Sequence, residues 1–452
     1  MKAARHINRQ QQENHQKRKK QMMKVNIIGA GLAGCEAANF LANKGIKVRL
    51  FEQKPQKYSD AHKSQNFAEL VCSNSLKSTR RDSSQGMLKY EMEHFGSLVL
   101  NAARQCSVPA GGALAVDRDI FSDIITKAIK ANKNIEIVYG EVCDINTDEI
   151  TIIATGPLTS GNLYQKIKQM CGDGMSFFDA AAPIVMADSI DMDKVFAASR
   201  YDKGDDDYLN CPFNKEEYEA FHAALVTAER AELKDFEQEI TVYEGCMPIE
   251  IMAARGAETM RYGPMRPVGL RDPKTGRRPW ANVQLRCEDA NKTMYNIVGF
   301  QTNLKFGEQK RVFRMIPGLE NAEFARYGVM HRNSFINSPK VLSNTLNLKE
   351  YPNVYFAGQI TGMEGYTESA MCGLLAAYFV YCRLIGQKPE IPDNTTMIGA
   401  LLRYITTENK DFQPMGSNMG ILPPLEEHIR DKRERYMQLA LRGEQAIDKI
   451  SV

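Results

Sequence analysis

Val25-Asn26-Ile27-Ile28-Gly29-Ala30-Gly31-Leu32-Ala33-Gly34 is an apolar strand that runs directly into G-x-G-x-x-G. The next run, Cys35-Glu36-Ala37-Ala38-Asn39-Phe40-Leu41-Ala42, reads as helix. Glycines at this spacing let the backbone turn tightly and approach a pyrophosphate. The helix N-terminus adds unsatisfied N–H groups and the positive end of its dipole. A second apolar strand, Ile46-Lys47-Val48-Arg49-Leu50-Phe51, ends in Glu52, eighteen residues past Gly34. An acid at that distance meets the ribose hydroxyls of a dinucleotide. A lone G-x-G-x-x-G is weak evidence, and its alternative is a purely structural βαβ unit. Strand, turn, helix, strand and acid in register predict a dinucleotide site made by Gly29, Ala30, Gly31, Leu32, Ala33, Gly34 and Glu52.

The pattern continues far from this turn. Ile150-Thr151-Ile152-Ile153-Ala154-Thr155-Gly156 is a short β-branched strand that stops at glycine. Asn353-Val354-Tyr355-Phe356-Ala357-Gly358-Gln359 repeats the arrangement near the other end. Gly362-Met363-Glu364-Gly365-Tyr366 then leads into a helical run from Thr367. Such a helix aims its N-terminus at whatever the first motif holds, and the N1/O2 edge of a flavin is a natural acceptor there. Gly156, Gly358, Gln359, Gly365 and Tyr366 therefore join the cofactor-binding candidates. A site built from both ends of the chain makes the middle an insertion. The expected fold is α/β, a three-layer Rossmann-like FAD-binding domain over 25–185 and 311–452, interrupted by a smaller α/β insertion over 186–310.

Composition constrains partners little. The 452 residues hold 58 basic and 55 acidic side chains, a net charge of +3. No stretch approaches the roughly 18 uninterrupted apolar residues of a membrane span. The leader, 1–24, carries eight Lys/Arg against Glu13 alone, without an apolar core or a small-residue cleavage site. It reads as a disordered basic arm rather than a secretory signal. The ten cysteines form no CxxC pair and show no metal-ligand spacing. That favours reduced thiols in the cytoplasm and gives no metal site.

The middle changes character near residue 186. Asp205-Asp206-Asp207 marks a turn, and Lys215–Ala228 and Leu233–Gln238 read as helices. From Arg255 to Arg286 the chain carries Arg255, Arg261, Arg266, Arg271, Lys274, Arg277, Arg278 and Arg286 against Glu258 and Asp272. Tyr262 and Trp280 lie among them. Such charge density is the footprint of a polyanion site, and aromatic rings offer stacking surfaces. Arg255, Arg261, Arg266, Arg271, Arg277 and Arg278 are the RNA-binding candidates, with a solvated basic loop as the alternative.

Two cysteines have distinctive surroundings. Cys72 lies in Phe67-Ala68-Glu69-Leu70-Val71-Cys72-Ser73-Asn74-Ser75-Leu76-Lys77-Ser78, where an apolar run breaks into small polar residues. Cys246 lies in Glu244-Gly245-Cys246-Met247-Pro248, a turn just before the basic segment. A thiol at a turn stays accessible, and neighbouring cations favour its thiolate.

These blocks, with CSVPAGGALAVDRD, EGCMPIEIMAARG, YNIVGFQTNLKFGEQ, YGVMHRNSFINSP and FAGQITGMEGYTESAMCGLLAA, cover nearly all of the chain beyond the leader. In them the sequence resembles the folate- and FAD-dependent tRNA (uracil-5-)-methyltransferases, relatives of the glucose-inhibited division protein A flavoproteins. The resemblance implies FAD on Gly29–Gly34, with Glu52 on the ribose and the Gly358–Tyr366 loop beside the flavin. It implies methylenetetrahydrofolate as carbon donor and NAD(P)H as reductant, although no second complete dinucleotide motif is visible. It places Cys72 and Cys246 on the family's two functional cysteines. C5 of uracil becomes nucleophilic only after addition at C6, and its proton must then be removed. Cys246 is assigned as nucleophile and Cys72 as base or its partner, with exchanged roles open. His331, Arg332 and Asn333 are folate candidates, as is Tyr366.

Two features depart from the family pattern. Ala61-His62-Lys63-Ser64 stands where relatives often read A-H-H-T, and the basic leader is unusual. Some family members in minimal bacteria methylate ribosomal RNA, so the expected substrate is a structured RNA, either tRNA or 23S rRNA. Oligomeric state is open between monomer and weak dimer. The rival readings are an FAD oxidoreductase of a small metabolite and a non-catalytic RNA-binding protein that keeps FAD for stability.

Overall fold

The computed structural model describes residues 24–59, 61–172, 175–180, 182–202, 207–231, 247–289, 291–328, 330–409 and 412–452, with the backbone alone at 175–180, 202 and 330–332. Residues 1–23 of the expected leader, the helix at 233–238 and Cys246 lie outside the described residues, as do Asp205 and Asp206 of the expected turn. Lys24, the last leader residue, instead opens the first strand.

The glycine motif folds as its spacing predicts. Strand β1 (Lys24–Ile28) leads into helix α1 (Leu32–Asn43), and β2 (Lys47–Glu52) returns parallel to β1 with Val25 opposite Val48. Strands β3 (Ile135–Tyr139), β4 (Thr151–Ile153) and β5 (Val354–Phe356) complete a five-stranded parallel sheet in the order β5-β4-β1-β2-β3. Both late strands are shorter than the runs that announce them, because each stops before the glycine that turns the chain. A parallel sheet reverses its strand order at one crevice, and ligands bind there, beyond the carboxyl ends of the strands. Here that crevice lies between β1 and β4.

Helix α2 (Tyr366–Ile385) packs against α1 at Gly373, while Gly34 lets α1 close onto its own glycine turn. A Cβ on Gly373 would come within 2.1 Å of the Ala33 carbonyl oxygen, and one on Gly34 within 1.8 Å of the Gly29 oxygen. By length and composition α2 is apolar enough to cross a membrane, yet 78% of its apolar window is buried inside the protein. It is the central core helix. The surrounding apolar core draws on residues from both ends of the chain, Val25 to Cys171 and Phe335 to Ile450.

A second core runs from Val185 to Ala322. It lies on an antiparallel six-stranded sheet whose strands include Ile184–Met186, Tyr208–Phe213, Ala281–Cys287 and Phe324–Arg326. Phe213, Phe221, Phe300 and Phe313 link that sheet to its helices, with successive ring centroids 5.5, 6.1 and 5.7 Å apart. The strands Met175–Ala180 and Met330–Phe335, which leave and re-enter the nucleotide-binding half, pair antiparallel. The division expected at 310/311 falls inside the helix Phe306–Phe313, whose Val312 and Phe313 belong to the insertion core. No Pro/Gly cluster marks the true return of the chain, and the sequence offers no cue to move the boundary.

Candidate active site

The cleft above β1 and β4 is lined by Gly29, Ala30, Gly31, Leu32, Ala33, Glu52, Gly156, Gly358, Gln359 and Tyr366, among others. Gly34 and Gly365 are not in its wall. Their constraint is packing: Gly34 meets Gly29, and Gly365 (φ +124°) sits over the Glu368 carboxylate. Gly31 is the opposite case, since a Cβ there would meet no protein atom within 4 Å. Its open side faces the cleft, as a cradle for a bulky group requires. Gly31 is the N-cap of α1, with no side-chain cap and no acid in the first turn. The amides of the first turn are therefore available to an anion. Glu52 is buried and accepts the Ala30 N–H at 3.1 Å and the Lys54 N–H at 2.9 Å. Each carboxylate oxygen retains a lone pair for a ribose hydroxyl. These features fit the adenosine and pyrophosphate of FAD.

Sequence reading missed part of this wall. His62 lines the cleft, with its Nδ1 2.6 Å from the Ser59 hydroxyl. Burial, reinforced by the charge of Lys54, lowers its pKa from 6.5. Lys54 is buried and donates to the Asn66 carbonyl. The departure from A-H-H-T falls on exposed Lys63 and half-buried Ser64, one step beyond the His62 that reaches the cleft.

Cys72 follows Val71, a residue of the cleft wall, and is half-buried. Three side chains from different elements hold its loop. Tyr366, the first residue of α2, accepts the Cys72 N–H at 2.6 Å and the Ser73 N–H at 3.2 Å through its hydroxyl. Arg118 donates to the Leu70 carbonyl at 3.1 Å. Arg286, from the insertion strand Ala281–Cys287, donates to the Ser73 hydroxyl at 2.8 Å and the Asn74 side-chain oxygen at 2.9 Å. Asn74 is fully buried, and its amide donates to the carbonyls of Val116, Cys287 and Glu288. The loop is thus fastened to both halves of the molecule.

The electrostatics around this loop are cationic. Arg118 contacts Glu288 at 2.7 Å without hydrogen-bond alignment, and its Nη2 has no protein partner among the described residues. Burial weakens the basicity of Arg286 and Arg326, while Glu288 and Cys72 oppose that effect. Burial also raises the Tyr366 pKa, so its hydroxyl keeps its proton.

Arg286 corrects the reading of the basic segment. It is 8% exposed and points at the Cys72 loop rather than at solvent. Arg261 is also engaged, stacked 3.8 Å from the Trp280 ring centroid and donating to the Trp280 carbonyl. Trp280 packs on the insertion core, whereas Tyr262 is 83% exposed. Arg255, Arg266, Arg271, Arg277 and Arg278 are exposed. Of the folate candidates, Asn333 is buried on the strand Met330–Phe335. Ser334 donates its N–H to the carbonyl of Pro157, a cleft residue, and so brings this strand alongside. The side chains of His331 and Arg332 lie outside the described residues.

Fold and site together define a dinucleotide-binding α/β protein with a held cysteine loop at the mouth of its cleft. The chain belongs to the glucose inhibited division protein A family, whose model matches residues 24–388. It is 56% identical over 421 residues to the methylenetetrahydrofolate–tRNA-(uracil-5-)-methyltransferase TrmFO of Acetivibrio thermocellus, covering 93% of this chain and 96% of that one. It is 57% identical over 423 residues to the protein of the same name from Enterococcus faecalis, covering 93% and 97%. Its fold is similar to that of GidA from Aquifex aeolicus, with a TM-score of 0.69 at 16% identity over 95% of this chain and 73% of that one.

Proposed function

We propose that this protein is a folate- and FAD-dependent methyltransferase that forms 5-methyluridine in tRNA. The observation that carries the reading is the Cys72 loop, held by Tyr366 and Arg286 at the edge of a cleft suited to FAD. The names of relatives more than half identical over nearly their whole length support it and point to tRNA.

When bound, FAD supplies the hydride that brings the carbon of methylenetetrahydrofolate to the methyl level, with NAD(P)H as the electron source. The chain's own residues activate the uracil. A thiolate adds at C6 and makes C5 an enolate nucleophile. C5 takes up the one-carbon unit, whose bond to folate nitrogen breaks with the electron pair left on that nitrogen. A base then removes the C5 proton, and the thiolate leaves from C6. Cys246 is the nucleophile and Cys72 the base in this scheme. Arg286 and Arg326 bring positive charge to the Cys72 loop, and Tyr366 fixes its backbone. Gly31 and the first turn of α1 hold the pyrophosphate, and Glu52 the ribose. Asn333, His331 and Arg332 are the residues assigned to the folate, and the exposed arginines of 255–278 take RNA phosphates.

Mass spectrometry of RNA from a deletion strain tests the reading. Loss of 5-methyluridine from tRNA is the expected result. Loss from 23S rRNA alone would move the target, and intact 5-methyluridine in both would overturn the proposal. Labelled S-adenosylmethionine is expected to transfer no methyl group in a folate-free assay.

A further inference from the structure

On the insertion, three aromatic rings form a column. Phe306 and Tyr327 have centroids 4.8 Å apart and planes 19° from parallel, and Phe324 and Tyr327 have values of 5.1 Å and 14°. The other aromatic pairs among the described residues are tilted or edge-on, including those of both cores. Phe306 ends the column and is 54% exposed, although it opens a helix whose Val312 and Phe313 are fully buried. The column is built rather than collapsed. Gln309 is fully buried and donates to the carbonyls of Leu304 at 2.7 Å and Gly328 at 2.8 Å, while its side-chain oxygen accepts the Gly328 N–H at 2.8 Å. That amide pins the helix bearing Phe306 to the segment bearing Tyr327.

Position and charge say what the open ring face is for. Tyr327 directly follows Arg326, the last residue of the strand Phe324–Arg326, and the buried Arg326 guanidinium interacts electrostatically with Cys72 and Tyr366, so the segment that carries the column also reaches toward the Cys72 site. Beside Phe306, Glu308 is neutralised by Arg311, and Lys310 is exposed. A rigid π-face flanked by cation is the arrangement that holds single-stranded nucleic acid, because every base has a face to stack.

We propose that the Phe306 end of this column is a stacking platform for an unpaired nucleobase of the RNA whose uridine is presented to the Cys72 loop. The proposal rests on the RNA-methyltransferase reading and adds a binding site outside both the cleft and the basic segment.

The test is fluorescence anisotropy of the FAD-loaded protein with a fluorescein-labelled, unmodified tRNA transcript. Phe306→Ala is expected to weaken binding by about 5- to 150-fold, the range for loss of one base–aromatic stack. Phe306→Leu, which keeps apolar bulk without a π-face, should lose a similar factor, and Phe306→Trp should bind like wild type. The log–log dependence of affinity on salt should keep its slope, since stacking releases no counterions. Unchanged affinity in both Phe306→Ala and Phe306→Leu would overturn the proposal. So would equal weakening in Phe306→Trp, a changed salt slope, or a rise confined to KM for methylenetetrahydrofolate. Wild-type turnover of the same transcript is measured in parallel: an inactive wild type defeats the functional reading, whereas an active wild type with unaffected variants defeats the platform alone.

Discussion

Gly31 and Gly34 belong to one turn and answer to different constraints. Gly31→Ala places its Cβ in open space, so the protein should fold with a near-normal melting temperature and lose flavin absorbance as the methyl meets the pyrophosphate. Gly34→Ala drives a Cβ to 1.8 Å from the Gly29 oxygen and should lower the melting temperature whether or not FAD is added. Equal flavin retention by wild type and Gly31→Ala would remove the pyrophosphate from that turn. The two cysteines are tested by alanine variants and by RNA with 5-fluorouridine at the target, where fluorine cannot leave as a proton. Both variants should lose methylation and keep FAD; the trapped adduct should persist in Cys72→Ala and vanish in Cys246→Ala. The reverse pattern exchanges the roles. Arg286→Met removes the guanidinium bonds to Ser73 and Asn74 and should lower kcat more than it raises KM for RNA, with the flavin spectrum unchanged.

Among the elements, helix termini are satisfied across the core by buried carboxylates. Glu36, on α1, accepts the N–H groups of Leu98 and Val99 at the start of the helix Leu98–Gln105. Glu91 does the same for Met397 and Ile398, both at 2.7 Å, at the start of Met397–Thr406. Burial raises the Glu91 pKa from 4.5 to about 8, outweighing the two N–H donors that favour its anion. The folded state then holds a proton that an unfolded glutamate loses above roughly pH 4.3. More protons on the native state means that stability falls as pH rises, here across the window between those two pKa values. Urea unfolding at pH 5.5 and pH 8 should show that decline, and Glu91→Gln should reduce it without abolishing it, because burial also raises the Glu36 pKa, to about 7. The variant is also expected to lose about 1–3 kcal/mol, because a side-chain NH₂ cannot accept from a backbone N–H. An unchanged slope in Glu91→Gln would assign the pH dependence to other groups.

For the whole molecule, the insertion clamps the Cys72 loop through Arg286 and, in the proposed function, is the RNA side, and its arginines divide accordingly. Arg277 and Arg278 are exposed, and each alanine replacement should reduce the log–log salt slope of RNA binding by about 0.7–0.9 if it removes a phosphate contact. Arg261→Ala should instead lower thermal stability and leave the slope nearly unchanged, because its guanidinium is committed to Trp280. A steep slope change from Arg261→Ala with normal stability would contradict this division.

The sequence by itself determined the nucleotide-binding half. Its signals are local: a glycine turn between a strand and a helix, an acid at the end of the next strand, and a glycine after each of β4 and β5. Backbone sterics and strand alternation fix such features within a few residues, so Gly31, Glu52, Gly358 and Tyr366 are found where their spacing put them, in one cleft. Resemblance to relatives singled out Cys72, but not what holds it. The tertiary structure alone decided that Arg286 leaves the basic segment for the Cys72 loop, that Arg118 and Asn74 join it there, and that Phe306 stacks on Tyr327. Asn74 and Arg286 are 212 residues apart, and no periodicity in the chain relates them. They meet because two separately packed cores are pressed together, and a buried guanidinium must find its acceptors wherever the packing supplies them.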